Sequence, residues 1–263
     1  TRYFYHVRLN LPEFVEKRFN KTLKTILAVF WICLYIFVNL TSVLYLGGLA
    51  LETILGIPMM YSILGLAAFA LLYSVYGGLS AVVWTDVIQV AVLVFGGFAT
   101  SYVALNWISG GEGAFAGLGT LLDKVPDHFE MILAVDNAHY KDLPGIAVLI
   151  GGLWVTNLYY WSFNQYVIQR TFAAKSVKDA QTGLVFAGFL KLIIPLIVVI
   201  PGIAAFYITQ YDPALLQSLQ EQFGPMVLNN LPSEQTPDKA YPWVAQLLPV
   251  GIKGVVFAAL AAA

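Results

Sequence analysis

Gly151-Gly-Leu-Trp-Val-Thr-Asn157-Leu-Tyr159-Tyr160-Trp161-Ser-Phe-Asn164-Gln165-Tyr-Val-Ile-Gln169-Arg170 closes a run of 27 residues, 143–169, that carries no charge. That is long enough for a helix to cross a bilayer. Yet amides and aromatics stand where a purely structural span would hold Leu and Val. On a helix, Asn157, Tyr160, Trp161 and Asn164 fall at offsets that share one face. An amide facing hydrocarbon costs several kcal/mol, so this face is expected against protein or a wet cavity, as the wall of a pathway for a polar solute.

The rest of the chain agrees. It is 59% hydrophobic and 11% charged, with a mean hydropathy of +0.74, far from an ordinary water-soluble domain. Uncharged runs occur at 25–51, 53–85, 87–111, 143–169, 192–211 and 240–252. They predict an all-α polytopic membrane protein with six crossing helices, near 23–50, 57–77, 82–108, 145–170, 182–208 and 243–263. The single cysteine, Cys33, lies inside the first span and excludes an intrachain disulfide. Asn39-Leu-Thr41 matches a glycosylation acceptor but falls mid-span, out of reach of the modifying enzyme. Residue 1 lies in a polar stretch and the last residues in an apolar one, so the chain is expected to be an internal fragment of a larger membrane protein.

Charge sets the expected orientation. Residues 1–24 carry six basic side chains against two acidic ones, and 170–179 carries Arg170, Lys175 and Lys178. The 109–142 loop has six acids and two bases, and 209–241 has four acids and one base. Basic segments stay cytoplasmic. Residues 1–22, 78–82 and 170–181 are therefore expected inside, and 51–56, 109–142 and 209–242 outside. Asn10-Leu-Pro12-Glu-Phe-Val-Glu-Lys-Arg18 reads as a short interfacial helix in the cytoplasmic lead-in. The segments beginning at Ala114 and Pro213 have helical apolar spacing and are expected on the outer membrane surface.

Lys191 is the only charge in residues 183–207. An intramembrane lysine costs ~2.5–3.5 kcal/mol on insertion scales and faces protein, water or a ligand. The plain alternative is a structural lysine bonded to carbonyls of a broken neighbouring helix. Tyr159, Tyr160 and Trp161 lie ~15 Å of helical rise from Arg170, too deep for an interfacial belt. Aromatic faces opposite amides suit a sugar and also other polar organic solutes. Gly151-Gly152 is a plausible point for the helix to break. Asp86, the first charge after 33 uncharged residues, is either a carboxylate at a helix N-terminal turn or an acid attracting a cation in an inner vestibule. His6, His128 and His139 fall in loops without metal spacing, and the sequence carries no phosphate loop, nucleophile elbow or paired acids in a span. Neither an enzyme nor a nucleic-acid partner is expected.

Gly77-Gly-Leu-Ser-Ala-Val-Val-Trp-Thr-Asp86-Val-Ile-Gln89, followed by the 151–170 run and Lys191, resembles the sodium:solute symporter family, and most of all its bacterial sodium/galactose (sodium/glucose) branch. The first motif is family-wide; Asn157-Leu-Tyr-Tyr-Trp161 followed by Asn164-Gln-Tyr-Val-Ile-Gln-Arg170 is narrower. The resemblance implies a fourteen-helix transporter built on two inverted five-helix repeats in the plasma membrane, with this chain holding helices four to nine. It implies that Asn157 and Lys191 bond sugar hydroxyls and that Tyr160 stacks under the ring as inner gate. Tyr159 and Trp161 would close beneath it, and Asn164 would help hold it. Asp86 would lie on the sodium exit route and Ala263 would offer a backbone carbonyl to sodium. Na+ enters as coupling ion, without a cofactor. The alternatives are a sodium symporter of another small solute (inositol, proline or another carboxylate) and a transporter-like sensor with an attached signalling domain.

Overall fold

The computed structural model describes residues 11–130, 132–137, 140, 145–146, 148–229, 231–233 and 236–262, with the side chains of 79–81 and 258–262 excepted. Every regular element among the described residues is helical. The first is α1, Leu11–Arg18, with Glu13 in its first turn and Lys17 and Arg18 in its last, the placement that its dipole favours. Next, α2 spans Lys21–Leu34, and the Asn20 side chain accepts the Leu23 N–H at 2.8 Å to cap it. An ion pair between Lys24 and Glu16 closes the corner between the two helices. The hydrogen bond from Lys24 holds the half-buried Glu16 carboxyl below its ordinary range.

A π-turn at Tyr35–Leu40 leads into α3, Thr41–Leu55. The next helix, α4, runs Met59–Ile108 and kinks at Gly78, whose φ of 60° and ψ of −165° suit glycine alone. It is followed by α5, Ala114–Lys124. Among the described residues, four helical stretches are long and apolar enough to cross a membrane: Lys21–Leu55, Met59–Gly78, Val82–Ile108 and Val177–Gln210.

The segment expected as one helix at 145–170 is built in pieces. A π-turn, Val148–Gly152, precedes α6, Leu153–Ser162, and α7 begins only at Gln165 and ends at Phe172. Gly151 and Gly152 thus end a π-turn, and the actual break falls at Phe163–Asn164. There the N–H groups of Phe163 and Asn164 both return to the Tyr159 carbonyl. Asn164 turns extended and its side chain accepts the Tyr166 N–H at 3.0 Å. A short amide does this readily, because it competes with the helix for backbone donors. Further on, α8, Val177–Ile194, passes through a π-turn at Pro195–Val199 into α9, Ile200–Gln210. Then come α10, Pro213–Phe223, α11, Ala240–Gln246, and α12, Val250–Ala262. Pro249 separates the last two inside the segment expected as a single span at 243–263.

The residues form two compact units, one of Asp127–Lys191 with the chain up to Asn39, the other of Leu40–Pro126 with the chain from Leu192 onward. The second unit holds most of the buried core. Trp243 is fully buried there and donates its indole N–H to the Val227 carbonyl at 2.8 Å. The two loop helices are not loose on the surface. Leu121 of α5 and Leu219 of α10 are fully buried, and Phe223 meets Trp107 edge to face at 5.8 Å.

Within that unit α4 offers small residues on a seam. Gly97 lies so close to Ile197 that an added Cβ would stand 2.6 Å from its Cβ. One turn on, the buried Ser101 hydroxyl reaches the Leu196 carbonyl at 2.6 Å. That carbonyl needs it. In the π-turn the Ile200 N–H bonds Pro195, and the next donor in the same register would be Pro201, which has no N–H. Ser101 supplies what the proline lacks. Ser101→Ala in the intact membrane protein is expected to lower stability by about 1–3 kcal/mol by leaving that carbonyl unpaired. Gly97→Val is expected to be worse, through overpacking. Thermal unfolding in detergent measures both, and an unchanged Ser101→Ala midpoint would remove the hydroxyl from this role.

Candidate functional site

The first unit carries Asn157, Tyr159, Tyr160, Trp161, Asn164 and Lys191. On α6, Asn157 is exposed and gives one amide N–H back to the Leu153 carbonyl at 2.9 Å. Its side-chain oxygen has no partner among the described residues, so it remains an acceptor on the surface of the chain. One turn further, the rings of Tyr160 and Trp161 meet edge to face, with centroids 5.5 Å apart and planes at 85°.

Lys191 of α8 places its ammonium over both rings, 4.4 Å from the Tyr160 centroid and 5.0 Å from that of Trp161. Among the described residues no carbonyl of a broken helix is bonded to it. The ammonium does meet the broken segment, but through its aromatic faces, and it makes no hydrogen bond among the described residues. Cation–π attraction of ~0.5–2 kcal/mol is smaller than the ~2.5–3.5 kcal/mol cost of an intramembrane lysine. The rings hold the charge in place without satisfying its three N–H donors.

Tyr159 belongs to the other side of α6. Its ring lies parallel to that of Trp31 on α2, at 5.1 Å and 3°. One turn beyond Trp31, the Tyr35 hydroxyl donates to the Asn164 side-chain oxygen at 3.0 Å. That same oxygen caps α7, so both of its lone pairs are used. Asn164 does not share a helix face with Asn157, Tyr160 and Trp161, as an unbroken helix would require. It stands past the end of α6 and ties the break to α2.

Asp86 is half-buried on α4, beside Thr85, whose hydroxyl bonds the Val82 carbonyl at 2.8 Å. It belongs to the second unit. Ala263 lies outside the described residues. Asn39 is a group the sequence reading passed over: it stands exposed on the π-turn Tyr35–Leu40, a non-α geometry that recurs at functional positions. The signal was an amide deep in an apolar run, set aside with the glycosylation motif it opens.

Helices long and apolar enough to cross a bilayer, one of them carrying the Lys191 ammonium within its length, define a multi-pass membrane protein. The sodium:solute symporter family profile matches residues 1–263, and the chain belongs to that family. It is 72% identical over 253 residues to the sodium/glucose cotransporter of Vibrio parahaemolyticus, covering 96% of this chain and 46% of that protein. It is 30% identical over 266 residues to the human sodium/myo-inositol cotransporter 2, covering 96% and 38%. With mouse sodium/glucose cotransporter 1 it shares 27% over 275 residues, covering 97% and 40%. The chain thus spans less than half the length of these relatives.

The double use of the Asn164 oxygen separates two roles by experiment. Asn164→Ala is expected to speed amide hydrogen exchange in the first turn of α7, since losing a cap costs about 0.5–2 kcal/mol. Tyr35→Phe is expected to leave that turn protected while loosening α2. Equal effects of the two substitutions on residues 166–168 would contradict this division.

Proposed function

We propose that the full-length protein carrying this chain is a sodium-coupled symporter of a sugar, galactose- or glucose-like, in the plasma membrane, working by alternating access around an inverted-repeat core. In this reading the six expected spans, two of them interrupted, are helices four to nine of that core. Asn157 and Lys191 hydrogen-bond sugar hydroxyls, and Tyr160 stacks beneath the ring. Tyr159, Trp161 and Asn164 hold the inner gate. Asp86 lies along the sodium exit, and the Ala263 carbonyl helps bind Na+. Transport, not catalysis, is the activity.

The observation that carries the reading is the Lys191 ammonium, seated on two aromatic faces with its donors unspent, on the same unit as the open oxygen of Asn157. A sugar supplies what this arrangement lacks. Its hydroxyl oxygens accept from the ammonium, a hydroxyl proton goes to the amide oxygen, and its C–H face lies on a ring. The relatives named for glucose and myo-inositol both handle neutral polyhydroxylated solutes, which supports a polyol over a carboxylate. A myo-inositol substrate is the second reading, favoured by the human relative; the higher identity to the Vibrio protein favours the sugar.

Coupling follows from differential affinity. Sodium must bind the outward-open form more tightly than the inward one, because equal affinity would shift nothing. Proteoliposomes holding the full-length protein are expected to accumulate labelled galactose or glucose only with an inward sodium gradient, with inositol weaker and proline excluded. Preference for proline would overturn the assignment. Lys191→Ala is expected to weaken sugar uptake while the protein stays in the membrane, each lost charged hydrogen bond costing about 1.5–3 kcal/mol, or ten- to a hundredfold. Tyr160→Ala is expected to abolish coupled uptake, and Tyr160→Phe to be milder, because the ring rather than the hydroxyl carries the stacking. Unchanged uptake kinetics in Lys191→Ala would refute its role.

A further inference from the structure

Around the break in the 145–170 segment two buried polar atoms have no partner among the described residues, one a donor and one an acceptor. They are the indole N–H of Trp31 and the side-chain oxygen of Gln165. Most buried polar groups in folded proteins have a partner, and each orphan costs about 1–3 kcal/mol. Trp31 stacks flat on Tyr159. The Tyr35 hydroxyl, one turn later on the same helical run, bonds Asn164, the residue before Gln165. The donor and the acceptor therefore belong to the same corner, on either side of the hinge-like break at Phe163–Asn164.

We propose that Trp31 is a positioning residue for the inner gate: its ring sets Tyr159, and through it Tyr160 and Trp161, while its N–H joins the Gln165 oxygen in the alternate state of the cycle. This rests on the symport reading above. The stack holds the gate in the present state, at a strength typical of an aromatic pair, ~0.5–1.5 kcal/mol. The two orphaned groups raise the energy of that same state, and one rearrangement relieves both. The gate is thereby balanced: held by ring contact, and drawn toward the other state by a hydrogen bond not yet made. A change of conformation needs such a difference in interaction between its two states.

Four variants of the full-length protein test this. Trp31→Phe keeps a stacking ring and removes the N–H; Gln165→Leu keeps the volume and removes the acceptor. Each is expected to lower the maximal rate of sodium-driven sugar uptake about three- to tenfold, with the sugar KM unchanged. The double variant is expected to be no slower than either single one, because both remove the same bond. Trp31→Ala, which also removes the stack, is expected to add a sodium-independent sugar leak that Trp31→Phe does not show. Additive losses, or unchanged rates in both single variants, overturn the proposal while wild-type uptake leaves the symport reading standing. Absence of any wild-type sugar uptake sinks that reading instead. The pair is then read without transport, by disulfide formation between Trp31→Cys and Gln165→Cys with Cys33→Ser and any other cysteines replaced. A yield that changes with sodium supports the meeting of the two positions, and a yield indifferent to sodium overturns it.

Discussion

Inside a bilayer no water stands ready to take up a freed N–H or C=O, so every departure from a straight α-helix must bring its own partner. The irregular points of this chain are arranged around that demand. Pro201 removes a donor from the register of the π-turn at Pro195–Val199, and the Ser101 hydroxyl replaces it at the Leu196 carbonyl. At the end of α6 the Phe163 and Asn164 N–H groups share the Tyr159 carbonyl, and the Asn164 amide takes the Tyr166 N–H. Irregular backbone is tolerated where a specific side chain makes it tolerable. The residues that do so, Ser101, Asn164 and Tyr35, are polar groups in places where apolar ones would otherwise serve.

The same economy governs charge. Lys191 sits on the faces of Tyr160 and Trp161, which steady its position without consuming its hydrogen-bonding capacity. An ion pair in that position would have neutralised the ammonium and occupied its N–H donors. Trp31 and Tyr35 act from the opposite side of α6, on Tyr159 and Asn164. The short helix Leu153–Ser162 is thus held on one side by an aromatic stack, is followed by a hydrogen bond just past its end, and faces a cation on the other.

Much of this was legible in residue order, and what was not had a physical reason. Apolar runs disclosed the helical membrane class, because burial in lipid demands long uncharged helices. The lone charge of Lys191 and the amide of Asn157 drew notice, because polar groups are costly there. The seating of Lys191 on Tyr160 and Trp161 required knowing which helices meet, and no run of residues states that. The break at Phe163–Asn164 was missed because helical offsets place Asn164 on the face of Asn157, and hydrophobic periodicity says nothing of a capping amide. The π-turns were invisible for a similar reason: one extra residue per turn leaves an apolar run apolar. Trp31 looked like any span aromatic until its ring proved parallel to that of Tyr159.

An ammonium fixed to a spanning helix also answers to voltage. Carrying a full unit charge across the membrane is worth ~2.3 kcal/mol per 100 mV, and an ammonium part-way along a span feels a fraction of that. Each displacement of α8 along the membrane normal therefore does electrical work, in proportion to the fraction of the field crossed. A potential across any membrane that this helix spans thus pulls directly on this one side chain.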